Sequence, residues 1–470
     1  MGNNSSERFL TPYQVFSLSF GSAVGWGAFV MPGSTFLKKA GPLGSFFAMQ
    51  LAVLVMLLIC YNYFYLIKKH PVAGGQYVYT REAFGRTHSF ICVWFLLLSY
   101  FLIVPLNATA IFLIIRTLFG DALQRGFHYV LAGFDVYGYE VAVSIAILIV
   151  FALIALRGLK QAARVQSVLA TFMLLGLILM VLGAVLSPKA TTAHFTPAFN
   201  PEGNPIVQIL SVAAVGPWAF IGFETVPQYA DHYRFDLDKI KPIMDIAVIV
   251  SGLAYILLAL LAATVLPAGY DNWVAYIADL NNLSGGLSLP SFNFAQTTMG
   301  GIGAVIFVVA ALAAITTGVL GSFLSTSQLL QLLAEDHLVP KFLARKTAGG
   351  VPKAAILFIL LLSVIGPFFG RIFLNWVIDS SSIGAAIGFG YTSLAARKAA
   401  RAEGNRDMVV LGTLGALFSA AFAILLLIPI PQLNASLSRE SYICLFVWSS
   451  VGFILYQVMR RRGVAQKPLE

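Results

Sequence analysis

Three glycines fall within seven positions, Gly21-Ser22-Ala23-Val24-Gly25-Trp26-Gly27, inside a segment that is otherwise apolar enough to span a bilayer. Each glycine inside a helix costs about 1 kcal/mol relative to alanine. In hydrocarbon, every backbone group so freed needs a partner. Close approach of a neighbouring helix is the plain explanation of such small residues. The chemical one is a helix that unwinds to offer N–H and C=O groups to a polar ligand. A second stretch, Gly216-Pro217-Trp218-Ala219-Phe220-Ile221-Gly222-Phe223-Glu224, is interrupted by Pro217 and Gly222 and adds a carboxylate to an apolar run. Two interrupted helices at corresponding positions of two halves point to a transporter's ligand site. A charge mid-membrane costs roughly 2.5–3.5 kcal/mol on insertion scales, so Glu224 is expected to face the bundle interior. There it is a candidate proton carrier, a partner for a cationic substrate group, or a structural carboxyl bonded to backbone at the break.

The elements that position these stretches are read from the whole chain. Of its 470 residues, 59% are hydrophobic and 11% charged, which is the composition of a polytopic membrane protein in contact with lipid over most of its surface. The net charge of +10 sits in short loops, with no single cationic face, so it sets topology and implies no nucleic-acid partner. Cys60, Cys92 and Cys444 lie in apolar segments without metal-ligand spacing. The start of the chain lacks the design of a cleaved signal. No nucleophile–base pair, metal motif or phosphate loop is present, so neither an enzyme nor a cofactor is expected.

Hydropathy predicts about twelve spans, near 12–36, 43–67, 89–117, 139–156, 164–186, 206–230, 242–267, 300–333, 352–370, 373–396, 408–430 and 441–459. Most of the 30 Lys and Arg fall in alternate connections beginning at the N-terminus. This bias puts both termini in the cytoplasm. The stretch 268–299 carries no Lys or Arg and is expected outside, partly structured as short helices over the outer vestibule.

Several motifs together resemble the amino acid permeases of the amino acid–polyamine–organocation superfamily. Gly25-Trp26-Gly27-Ala28-Phe29 followed by Pro32-Gly33 is similar to that family's helix 1 signature, and Trp218–Glu224 to its helix 6 motif. Pro71-Val72-Ala73-Gly74-Gly75-Gln76-Tyr77-Val78-Tyr79, then Arg81-Glu82-Ala83-Phe84-Gly85, resembles the inner loop after helix 2. Gly158-Leu159-Lys160 with Ala163-Arg164-Val165-Gln166 matches the start of helix 5, and Ala334–Leu343 the loop after helix 8. The likeness runs from about residue 12 to 396.

The resemblance implies an all-α fold of ten helices as a five-plus-five inverted repeat, with helices 1 and 6 broken at the midplane. Around this core (12–396) the chain divides into a cytoplasmic tail (1–11), two appended helices (397–459) and a second tail (460–470). It implies a secondary transporter of amino acids in the cell membrane (plasma or inner), working by alternating access through exchange or proton symport. The substrate main chain is then held by Ala23, Val24, Gly25, Trp26, Gly27, Trp218, Phe220 and Ile221, with Trp218 stacking and gating. Trp26 stands where the family places a small residue, which bears on substrate size. Glu224 is the candidate for proton coupling. The helix 5 lysine of proton-coupled relatives corresponds to Met173 here, so that device is absent. Thr316, Thr317 and Ser322 could give hydroxyls to sodium, the less expected ion. The alternatives are an amine or polyamine transporter, in which Glu224 meets a cation, and a ligand sensor of the same fold.

Overall fold

The computed structural model describes residues 8–131, 133–370, 372–430 and 436–461. It is a helical membrane protein. Eight of its helical runs are long and apolar enough to cross a bilayer among the described residues. The sequence predicts more spans than this, and three of the difference, near 12–36, 206–230 and 352–370, are in pieces, none long enough alone.

Helix 1 of the expected series is one of these. It begins at α1 (Pro12–Ala23), where Thr11 and Gln14 cap each other reciprocally and Pro12 occupies the first turn. α1 stops at Val24, and α2 (Trp26–Met31) restarts behind an extended Gly25. A π-helical turn, Pro32–Phe36, leads into α3 (Leu37–Lys69). Gly41 (φ +69°) and Pro42 bend that run, so the second span starts there.

α4 (Gln76–Phe84) and α5 (Arg86–Phe119) follow, then a hairpin of β1 (His128–Leu131) and β2 (Phe134–Tyr137), paired His128 to Tyr137 through Leu131 to Phe134. This hairpin is an addition to the all-helical expectation. It docks on the far end of the bundle: Phe127 stacks on Phe368, and the Tyr129 hydroxyl donates to the Phe368 carbonyl.

α6 (Gly138–Leu156) and α7 (Leu159–Leu186) are unbroken. Helix 6 is again in pieces: α8 (Pro205–Ala213), a single turn α9 (Gly216–Ala219), and a 3-10 stretch Phe223–His232 interrupted at Tyr229. The remaining helices are α10 (Ile240–Ala263), α11 (Trp273–Ala278), α12 (Pro290–Glu335), α13 (Lys353–Ser363), α14 (Ile372–Ala402), α15 (Arg406–Leu427) and α16 (Arg439–Arg461). α14 runs on past position 396, where the appended pair was expected to begin.

The stretch 268–299 is folded, with α11, two 3-10 turns and the first turns of α12 before its bend at Gly300 (φ +64°). Trp273 is fully buried there, its indole donating to the Pro197 carbonyl at 2.8 Å. In the bundle, α1 lies between α7, α10 and α12, while α12 also packs along α5. The two broken helices therefore run through the middle, walled by unbroken ones.

Candidate functional site

Three bonds that an unbroken helix 1 would make are missing at its interruption. Val24 N–H still reaches the Phe20 carbonyl at 2.9 Å. The N–H groups of Gly25 and Gly27 meet no acceptor among the described residues. Trp26 N–H is held by the Asn107 side chain of α5, whose Oδ1 accepts it at 3.0 Å. Asn107 Nδ2 donates to the Ile103 carbonyl of its own helix at 3.1 Å, which fixes the amide's orientation. The amide is wedged between two glycines: a Cβ added at Gly25 would lie 2.9 Å from Oδ1, and one at Gly318 2.9 Å from Nδ2.

The second break presses against the first. Gly222 has φ +132°, a region that side chains rarely adopt, and an added Cβ would sit 2.6 Å from Ala23 N. Glycine is required there for both reasons. Glu224, fully buried, turns back on this break: Oε2 accepts from Gly222 N–H and Oε1 from the Tyr100 hydroxyl, each at 2.8 Å. Gln76 Nε2 approaches the Glu224 carbonyl at 3.4 Å and donates to the Tyr63 hydroxyl at 2.9 Å. Among the described residues no cation pairs with this carboxylate.

Between the breaks lies a cavity of ≈ 20 Å³, room for about one or two waters. Of the residues expected to bind substrate, Ala23, Gly25, Trp26, Gly27, Trp218 and Ile221 line it. Val24, Phe220 and Glu224 are buried behind that lining. The other walls, absent from the sequence expectation, are Ser22, Ile103, Leu106, Asn107 and Tyr255. Trp218 walls one side of the cavity and lies on the helix 1 backbone: a Cβ at Gly27 would lie 2.0 Å from its Cη2 atom. Tyr255 meets the Trp218 ring edge-on at 6.5 Å between centroids.

The hydroxyls expected for sodium are engaged elsewhere or lie apart from the cavity. Thr316 Oγ1 donates to the Leu312 carbonyl at 2.7 Å, and Thr317 Oγ1 to Ala313 and Ala314 at 2.9 and 3.0 Å, all within α12. Ser322 is buried one turn beyond. Gln166 of α7 fills the seam here: its Nε2 donates to the Thr317 carbonyl at 3.1 Å and abuts Gly21. Met173, at the expected lysine position, is buried in the same helix.

At the α4 end of the bundle, Arg81 pairs with Asp336, the residue that follows α12. The Tyr77 hydroxyl donates to the same carboxylate, and Arg86 reaches the Asp336 carbonyl at 2.8 Å. This cluster clamps α4 to the end of α12, away from the cavity.

The comparisons with known proteins agree with this architecture. A family profile described as amino acid permease matches residues 10–451. The branched-chain amino acid permease of Lactococcus lactis is 24% identical, over 84% of this chain and 83% of its own. The arginine/ornithine antiporter of Pseudomonas aeruginosa is 26% identical, over 72% and 66%. The L-asparagine permease of Escherichia coli is 24% identical, over 78% and 68%. With two interrupted helices in contact around a shared cavity and a profile match over nearly its whole length, this chain belongs to the amino acid permease family.

Proposed function

We propose that the protein exchanges one amino acid for another across the cell membrane by alternating access. Substrate is held between the two helix breaks, inside a twelve-helix bundle whose five-plus-five repeat leaves both termini in the cytoplasm. The observation that carries this reading is the contact of the breaks at Gly222 beside the open N–H groups of Gly25 and Gly27. A carboxylate taken out of bulk water needs fixed donors, and a restarting helix supplies them together with its positive end. The α1 carbonyls just before the break are suited to the substrate's ammonium. Opening requires Trp218 to leave Gly27, which gives that ring its gating role.

Exchange is favoured over symport because Met173 stands where proton-coupled relatives carry a lysine, and Glu224 is tied to Gly222 and Tyr100. The same two bonds keep Glu224 from a cationic substrate, which disfavours the amine-transporter alternative. In proteoliposomes, exchange predicts uptake of labelled amino acid only into vesicles preloaded with unlabelled substrate. Strong uptake into empty vesicles under an inward proton gradient would instead establish symport.

A further inference from the structure

The lining of the cavity divides cleanly by chemistry. Its side chains with polar atoms are Ser22, Asn107, Tyr255, Trp26 and Trp218, all uncharged, and among the described residues no Asp, Glu, Lys, Arg or His contributes to it. The nearest carboxyl, Glu224, is turned onto Gly222 and Tyr100 behind the wall. A guanidinium, ammonium or carboxylate on a substrate side chain would therefore be desolvated with no opposite charge to meet it. Such burial is strongly unfavourable unless the charge is paired. The zwitterionic main chain is a separate matter, since the helix break meets it.

Size is set by Trp26. It is the first residue of α2, is 4% exposed, and its backbone N–H is pinned by Asn107, so the ring's root cannot shift without breaking that bond. Asn107 is held in turn by its bond to the Ile103 carbonyl, between Gly25 and Gly318. Trp218 has to move on opening, whereas the Trp26 backbone is held in place by Asn107 on the same cavity.

We infer that this site takes small, uncharged amino acids, and that Trp26 is the residue that limits side-chain size. The inference rests on the amino acid permease reading of the same cavity. It is tested by competition: proteoliposomes preloaded with alanine are given labelled alanine and a panel of unlabelled amino acids. Glycine, serine and valine are expected to compete. Arginine, lysine and glutamate at equal concentration are expected to leave uptake within twofold of the control.

Trp26→Ala is expected to raise competition by phenylalanine about tenfold, in line with the discrimination an apolar pocket gives per added group. The charged amino acids stay excluded in this variant. Trp26→Phe, which keeps an aromatic ring in the wall, shifts the range in the same direction by less and serves if the alanine variant folds poorly. Strong competition by arginine or glutamate in the unaltered protein overturns the inference while leaving the permease reading intact. An unchanged size range in both folded variants overturns the role of Trp26. Failure of every amino acid to be taken up, with the protein folded and reconstituted, removes the permease reading and this inference with it.

Discussion

At the break in helix 1 the backbone groups are left open, whereas at the break in helix 6 the chain closes them with its own side chains. Gly25 and Gly27 offer N–H groups with no acceptor among the described residues, and Trp26 is capped only by Asn107 from another helix. Around Gly222, Glu224 takes the N–H, while the Thr225 backbone and hydroxyl both donate to the carbonyl, at 3.0 and 2.7 Å. An unmet buried amide costs free energy in either place. Helix 6 removes that cost internally and contributes shape, through Gly222 and Trp218. Helix 1 leaves it unmet, and there the proposed substrate would remove it. Two stretches that look alike in sequence thus divide the work of one site.

The largest effect expected from this contrast is at Gly222. Alanine there must adopt φ +132° and place its Cβ 2.6 Å from the Ala23 backbone. Strain of about 1–3 kcal/mol from the backbone conformation is joined by a clash that no side-chain rotation relieves. Gly222→Ala should cost most of the folded yield in detergent, read by monodispersity on gel filtration. A well-folded variant of normal stability would mean that the two breaks are not in contact.

Gly27→Ala is expected to act differently, because its obstacle is the far end of a side chain. The added methyl meets Trp218 Cη2 at 2.0 Å, so Trp218 can swing away at modest cost to stability. Transport should fall at least about tenfold, equivalent to 1.4 kcal/mol, with the folded yield nearly kept. Shortening the partner in Gly27→Ala/Trp218→Leu should then add less than the single losses sum to. Strict additivity in that double-mutant cycle would deny the contact.

The effect on transport expected from the conservative change at Glu224 is smaller, and the pair of variants there separates its two roles. Glu224→Ala strands the Gly222 N–H and the Tyr100 hydroxyl, a loss of about 1–3 kcal/mol for each buried group. Glu224→Gln keeps an acceptor for Gly222, and its amide can donate to Tyr100, whose hydroxyl already receives Gln228 at 3.4 Å. A structural carboxyl predicts that Gln restores most thermal stability and most exchange. Loss of exchange in a stable Glu224→Gln variant would return proton transfer to consideration.

Both breaks and the burial of Glu224 were legible in the sequence, because glycine, proline and a lone charge in an apolar run are local signals. What was not legible came from other helices. Asn107 and Tyr100 lie in α5 and Tyr255 in α10, and helical periodicity cannot say which distant backbone a side chain will meet. Asn107 did carry a signal, as an amide in the middle of an apolar run. The β1–β2 hairpin was missed because its strands are four residues each, too short for alternation to stand out. Trp273 shows the same limit in reverse. Composition alone placed it in an outer connection, and the short helices expected there bury it completely.

The smallest effect is expected at the seam between helix 1 and α12, which compares with neither break because its backbone is intact. Gln166 places an amide there, with one bond to the Thr317 carbonyl and an Oε1 that meets no donor among the described residues. Losing the bond costs about 1 kcal/mol, and removing an unmet buried oxygen returns a similar amount. Leucine ends one atom short of Nε2, so the packing against Gly21 is loosened only slightly. Gln166→Leu should therefore leave the melting temperature within a few degrees of the original, with exchange intact. A marked fall in exchange without loss of stability would show that the amide takes part in the transport cycle, and the helix 1 break would then not be acting alone.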